Sequence, residues 1–140
     1  MNIKLLEMIN EFIEEGDFSG EASIENITKA EQTLNISFPT EYKQFVKKYG
    51  SGGICGVDVH GVEGSEYASV VESTERFRKL DLPNKYIVIE NVDEYIYCLN
   101  TADKNNVIRW DDTSQKEIIR YESFDDYLQD SFQEAIDNLD

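Results

Sequence analysis

Ile3, Leu6, Ile9, Phe12 and Ile13 recur every three or four residues, which predicts an amphipathic helix with acids on its other face. Gly16 and Gly20, with Asp17 and Ser19, break that pattern. Helical spacing resumes through Ile24, Ile27, Ala30, Glu31 and Leu34, so a second helix should end near Asn35. Pro39 cannot continue a helix from behind, and Thr40 is the expected cap of a third helix with Tyr42, Phe45, Val46 and Tyr49 as its buried stripe. Gly50-Ser51-Gly52-Gly53 should stop it. From Ile54 to Val62, β-branched residues interleave with Gly56, Asp58 and Gly61, which predicts a strand with a bulge or tight bend. Val70, Thr74, Phe77 and Leu80 then share one helical face until Leu82-Pro83-Asn84 ends it.

Beyond Pro83 the period changes. Tyr86 to Ile89 and Tyr95 to Leu99 are strand patterns joined by a polar connection, and Val107 to Trp110 pairs in the same way with Ile118 to Tyr121. Ser123, with Asp126 three residues on, is the signature of a capping box before Tyr127, Leu128, Phe132, Ala135, Ile136 and Leu139. The whole reads as α+β: one domain over residues 1–140, its central antiparallel sheet of four or five strands packed by N-terminal and C-terminal helices.

Composition adds a sign. Acids exceed lysine plus arginine by 16 in 140 residues, yet 40% of the chain is apolar, enough for a core. A field of that sign repels phosphate backbones and anionic lipid and attracts basic proteins, so direct nucleic-acid and membrane binding are disfavoured. Solubility alone is the rival explanation of the acidity. The absence of a long apolar run at Met1 to Glu15 leads to the expectation of a cytoplasmic protein. Cys55 and Cys98, far apart among apolar residues, read as buried free thiols, and with His60 as the single histidine neither a metal nor another cofactor is expected.

Chemistry has few candidates. Ser51 lies in a glycine cluster without the G-x-S-x-G pattern, and no phosphate-loop motif is present. Adjacent acids such as Asp111 and Asp112 seldom converge on one buried substrate, so no enzyme is expected. Recognition fits the pattern better. Every formal charge from Asp58 to Glu75 is negative, which nominates Asp58, Glu63, Glu66, Glu72 and Glu75 as partner-binding residues, with Asp111 and Asp112 as a second cluster. Asp58 and Asp111 rank first, on the expectation that strands and adjoining turns hold their carboxylates in fixed directions. Tyr67 is the aromatic anchor candidate, whereas Trp110, beside β-branched strand residues, belongs to the core.

The chain also resembles the SUKH superfamily, which includes bacterial immunity proteins against polymorphic toxins and fungal cell-wall-assembly regulators. The resemblance rests on the helix Ile27 to Leu34, Phe38-Pro39 with Glu41-Tyr42 and Phe45, and Tyr49-Gly50-Ser51-Gly52-Gly53. Leu82-Pro83 before Tyr86 to Ile89, the Tyr95 to Asn100 strand, Val107 to Asp111 and Ser123-Phe124 complete it. Phe38 stands where the pattern usually has leucine, and Ser51 where asparagine or a similar residue is common. The resemblance implies a non-catalytic immunity protein that binds and neutralises a cognate toxin domain, in many systems a nuclease. A nuclease face needs lysine and arginine, so an acidic inhibitor suits it. The alternative it implies is a regulatory or scaffold binding module like the fungal members. Monomer and dimer both stay open, because like charges oppose self-association while a sheet edge beside Ile54 to Val62 or the hairpin could pair two chains.

Overall fold

The computed structural model describes residues 1–102 and 104–139. Asn2 starts helix α1 (Ile3–Glu11) by accepting the Leu5 N–H on its side chain at 2.8 Å. A short 3-10 turn (Ile13–Glu15) then leads into strand β1 (Gly16–Phe18). Ser23 caps α2 (Ile24–Leu34) in the same way through the Asn26 N–H, and Asn35 ends it in the left-handed region. Helix α3 (Thr40–Tyr49) stops at Gly50, whose φ of 77° a Cβ would oppose. After β2 (Gly52–Ile54) come α4 (Ser69–Arg78), β3 (Tyr86–Val92), β4 (Tyr95–Asn100), β5 (Val107–Trp110), β6 (Glu117–Tyr121) and α5 (Phe124–Asp137).

β3 to β6 form a four-stranded antiparallel meander in chain order, while β1 and β2 make a separate two-stranded sheet. Alternation along the meander sorts its side chains onto two faces. Tyr86, Val88, Ile96, Cys98, Ile108 and Trp110 form one core with Phe77 of α4 and Leu82. Ile87, Leu99 and Val107 face the opposite way, into the larger core built by α1, α2, α3 and α5 around Tyr42, Phe45, Tyr127 and Phe132. The sheet is therefore covered by α4 on one side and by the remaining helices on the other, an α+β domain as expected.

Several local expectations are corrected. The buried stripe of α1 is Leu5, Met8 and Ile9, and Ile3, at 73% exposed, lies off that stripe. Pro39, and not Thr40, is the N-cap residue of α3; Thr40 is the first helical residue, and no side chain caps the helix. Ile54 to Val62 is not a strand. The ladder lies earlier, at Gly52–Ile54, and the chain then turns through Cys55 and Gly56 so that Val59 bridges back to Gly52. That turn leaves Cys55 half-buried, and Cys98 alone is a fully buried free thiol. α4 ends at Arg78, so Leu80 falls outside the helix and is exposed, as is Leu139 beyond α5. At Ser123 one arm of the capping box forms, with Oγ accepting the Asp126 N–H at 3.1 Å.

Candidate protein-interaction surface

The segment from Asp58 to Ala68 has almost no regular structure, so its placement rests on hydrogen bonds to its neighbours. The His60 N–H donates to the Ile89 carbonyl at 2.7 Å, and the buried Tyr42 hydroxyl donates to the His60 carbonyl at 2.8 Å. Gly61 donates its N–H to Ser69 Oγ, and the Val70 N–H returns a bond to the Gly61 carbonyl at 3.1 Å. Farther along, the Gly64 N–H donates to the Tyr67 carbonyl, and Lys29 on α2 holds the Ser65 carbonyl at 2.7 Å. The acidic block is thus pinned against the start of α4 and the side of α2.

Within it Asp58, Glu63, Glu66, Glu72 and Glu75 are exposed, and Tyr67 is half exposed at 50%. Asp58, Glu63 and Glu72 share one electrostatic neighbourhood around His60 and Tyr67. Burial pushes the His60 imidazole below its ordinary value, while Asp58, Glu63 and Glu72 oppose that shift and Arg76 reinforces it. The Tyr67 hydroxyl is raised, first by desolvation and then by Glu72, Glu63 and Asp58. Among the described residues the ion pairs are those of the N-terminal amine with Asp125 and of Lys43 with Glu31, and neither involves the block. The two arginines of α4 form no ion pair with the block, although Arg76 acts on His60 and Glu75 acts on Arg78. Arg76 lies over the Phe77 ring at 4.9 Å, and Arg78 donates to the carbonyls of Leu34 and Asn84.

The candidates differ in how free they are. Glu63 accepts both the N–H and the hydroxyl of Ser69, so its carboxylate caps α4, whose N-cap residue Ala68 offers no side-chain acceptor. Asp58 lies in irregular backbone outside any strand, which removes the reason for ranking it first. Asp111 is half-buried, and its Oδ1 accepts the Thr113 N–H at 2.9 Å within its own turn. Asp112 is exposed. Their turn reaches the C-terminal end of α4, where Gln115 Nε2 lies 3.4 Å from Asp81; Glu63 caps the opposite end, ten helical residues and about 15 Å of rise away, while Glu72 and Glu75 lie along the helix between them. Of the candidates, the structure brings Asp58, Glu63, Glu72 and Tyr67 together around His60. Trp110 is buried, as expected.

A family model described as SUKH_5, SMI1-KNR4 cell-wall, matches residues 3–133. The chain belongs to the SUKH family. That family includes immunity proteins and SMI1/KNR4-like regulators, and its members are generally non-catalytic. No helix among the described residues of this SUKH protein is long and apolar enough to cross a membrane. Nor do its described residues bring three or more His, Cys, Asp or Glu side chains into a group that could hold a metal ion.

The SUKH sheet also presents a patch that the reading of the sequence missed. Tyr95, Tyr97, Arg109 and Tyr121 are half-buried on the face shared with α5, and Ile118 beside them is 47% exposed. Arg109 stacks on Tyr95 at 4.0 Å, and Tyr97 meets Tyr95, Tyr121 and Tyr127 at centroid distances of 5.4 to 6.2 Å. The Tyr127 hydroxyl donates to Glu90, whose carboxyl is pushed up by burial and, further, by Asp58. The aromatic patch and the acidic block therefore border one another. Tyrosine and arginine bury much area with few torsions, which makes this patch the apolar counterpart of the carboxylates. The alternation of Tyr95 and Tyr97 was a legible signal for one shared face; Arg109, Ile118 and Tyr121 needed the register.

Proposed function

We propose that this SUKH protein is a cytoplasmic immunity protein that binds a cognate basic toxin domain, of the nuclease class, and neutralises it by covering its cationic face. The observation that carries this reading is the set of exposed carboxylates at Asp58, Glu66, Glu72 and Glu75, none of them ion-paired among the described residues. Carboxylates held in no ion pair repel one another and make the local potential more negative, a cost that a cationic partner relieves on binding. Glu63 contributes to the field while it holds α4 in place. Tyr67, Asp111 and Asp112 complete the proposed contacts, Tyr67 as an aromatic anchor and the two aspartates as rim charges.

Membership of a family that includes immunity proteins supports the same reading. The description of the matching family model, which refers to the cell wall, favours a second one, a regulatory binding module. Co-expression separates them. An immunity protein should co-purify with a basic toxin domain encoded beside it and suppress that toxin's killing. Folded protein that neither binds nor protects against the neighbouring toxin would refute the immunity reading and leave the regulatory one.

A further inference from the structure

The two edges of the meander are not alike. On β3 the outward Val88 N–H is taken by the buried Thr74 hydroxyl at 2.9 Å, and the outward Ile89 carbonyl accepts the His60 N–H. That edge is closed by α4 and the loop before it. On β6 the Asp111 N–H bonds the Lys116 carbonyl, and the register pairs Arg109 with Ile118 and Trp110 with Glu117. Antiparallel alternation then turns the backbone groups of Glu117 and Ile119 away from β5, and no other described group hydrogen-bonds them. Ile118 and Ile119 lie at this open edge on opposite faces of the sheet, 47% and 69% exposed.

We propose that this edge pairs with the β6 edge of a second copy of the chain, antiparallel, about a two-fold axis through Ile118. The outward residues are two apart, so the axis places Glu117 of each copy opposite Ile119 of the other and satisfies both free N–H and both free C=O groups of each strand. Ile118 then meets its own counterpart as a non-hydrogen-bonded pair, with Cα atoms about 4.5 Å apart. The shift between Val107 and Ile108 leaves Arg120 as an extra residue, which ends the ladder at Ile119. Charge selects this site for a self-contact. Between Val107 and Tyr121 three bases (Arg109, Lys116 and Arg120) balance three acids (Asp111, Asp112 and Glu117), although the whole chain carries −16. Two copies can approach here without opposing two blocks of one sign. The small contact makes the dimer weak, and salt strengthens it by screening the repulsion between the remaining surfaces.

Sedimentation equilibrium of the purified chain tests this at low and high salt, over about two decades of concentration up to about 1 mM. The expected result is a monomer–dimer equilibrium that shifts toward dimer at high salt. Ile118→Glu and Ile118→Lys should each weaken association by about tenfold or more, because like charges meet at the axis. Mixing the two variants should restore it as a heterodimer. Far-ultraviolet circular dichroism and melting confirm that each variant is folded, as expected for a half-exposed edge position. A wild-type chain that stays monomeric under both conditions overturns the proposal, as does a dimer indifferent to both substitutions or a mixture that fails to associate. Protection of the Glu117 and Ile119 amides from exchange by a different protein, with the chain alone monomeric, would assign the edge to that partner and equally overturn it.

Discussion

Glu63 gives the sharpest test of which carboxylates serve the fold and which serve a partner. Ala68, the N-cap residue of α4, supplies no side-chain cap, so the Ser69 N–H would lack a protein acceptor if Glu63 Oε1 did not reach it at 2.8 Å. The same carboxylate takes the Ser69 hydroxyl, whose oxygen accepts the Gly61 N–H at 2.9 Å, so one side chain ties the loop to the helix. Loss of a side-chain cap costs about 0.5–2 kcal/mol, and an acid at a helix N-terminus adds about 0.3–1 kcal/mol at an exposed site. Glu63→Ala should therefore destabilise the protein by about 1–2 kcal/mol, and Glu63→Gln, which keeps an acceptor oxygen, by about 0.5 kcal/mol. Urea unfolding followed by circular dichroism measures both, with Glu66→Ala and Glu75→Ala as exposed controls expected to stay within about 0.5 kcal/mol of wild type. Amide exchange should also quicken at Ser69 and Val70 in Glu63→Ala. If Glu63→Ala matches the controls, the cap contributes nothing and Glu63 returns to the free carboxylates available to a partner.

Three other outcomes follow from the same geometry. Glu72→Lys should slow association with a basic toxin domain severalfold at low salt and much less at high salt, whereas Asp112→Lys, at the far end of α4, should change the rate less; stopped-flow mixing at two ionic strengths reads both. In Gly61→Ala the new Cβ would stand 1.8 Å from the Gly50 carbonyl oxygen, so unfolding free energy should fall by about 3 kcal/mol or more, while Gly64→Ala, which has open space, should be nearly neutral. Glu90 has a folded pKa raised above its ordinary 4.5, chiefly by burial, so the folded state binds that proton more tightly than the unfolded chain and stability falls as pH rises through this window. Glu90→Gln, which can still accept from Tyr127, should then raise the melting temperature at neutral pH and lose that advantage near pH 4; a variant no more stable than wild type at neutral pH would contradict this.

Much of the fold was legible because it follows from local rules. Helices α2, α3 and α5 and the four strands of the meander announce themselves through apolar period, Ser123 as a cap, and Asn35 and Gly50 as stops. The acidic block could be read for the same reason, since charges close in sequence stay close in space. The stretch from Asp58 to Ala68 was not legible. Its bonds go to Tyr42, Ile89, Ser69 and Lys29, and no pattern within the segment names those partners.

By itself the sequence determined the fold class, the element order, the family likeness and the sign of the surface, all properties that accumulate residue by residue along the chain. Tertiary structure alone decided that Glu63 caps α4, that Asp111 is occupied by its own turn, and that Tyr95, Tyr97 and Tyr121 meet beside the acidic block. It also decided which sheet edge is closed by Thr74 and which is left open at β6. The physical reason is directional. A carboxylate or a backbone N–H acquires its role from the one group its hydrogen bond reaches, and that group is set by how distant segments pack.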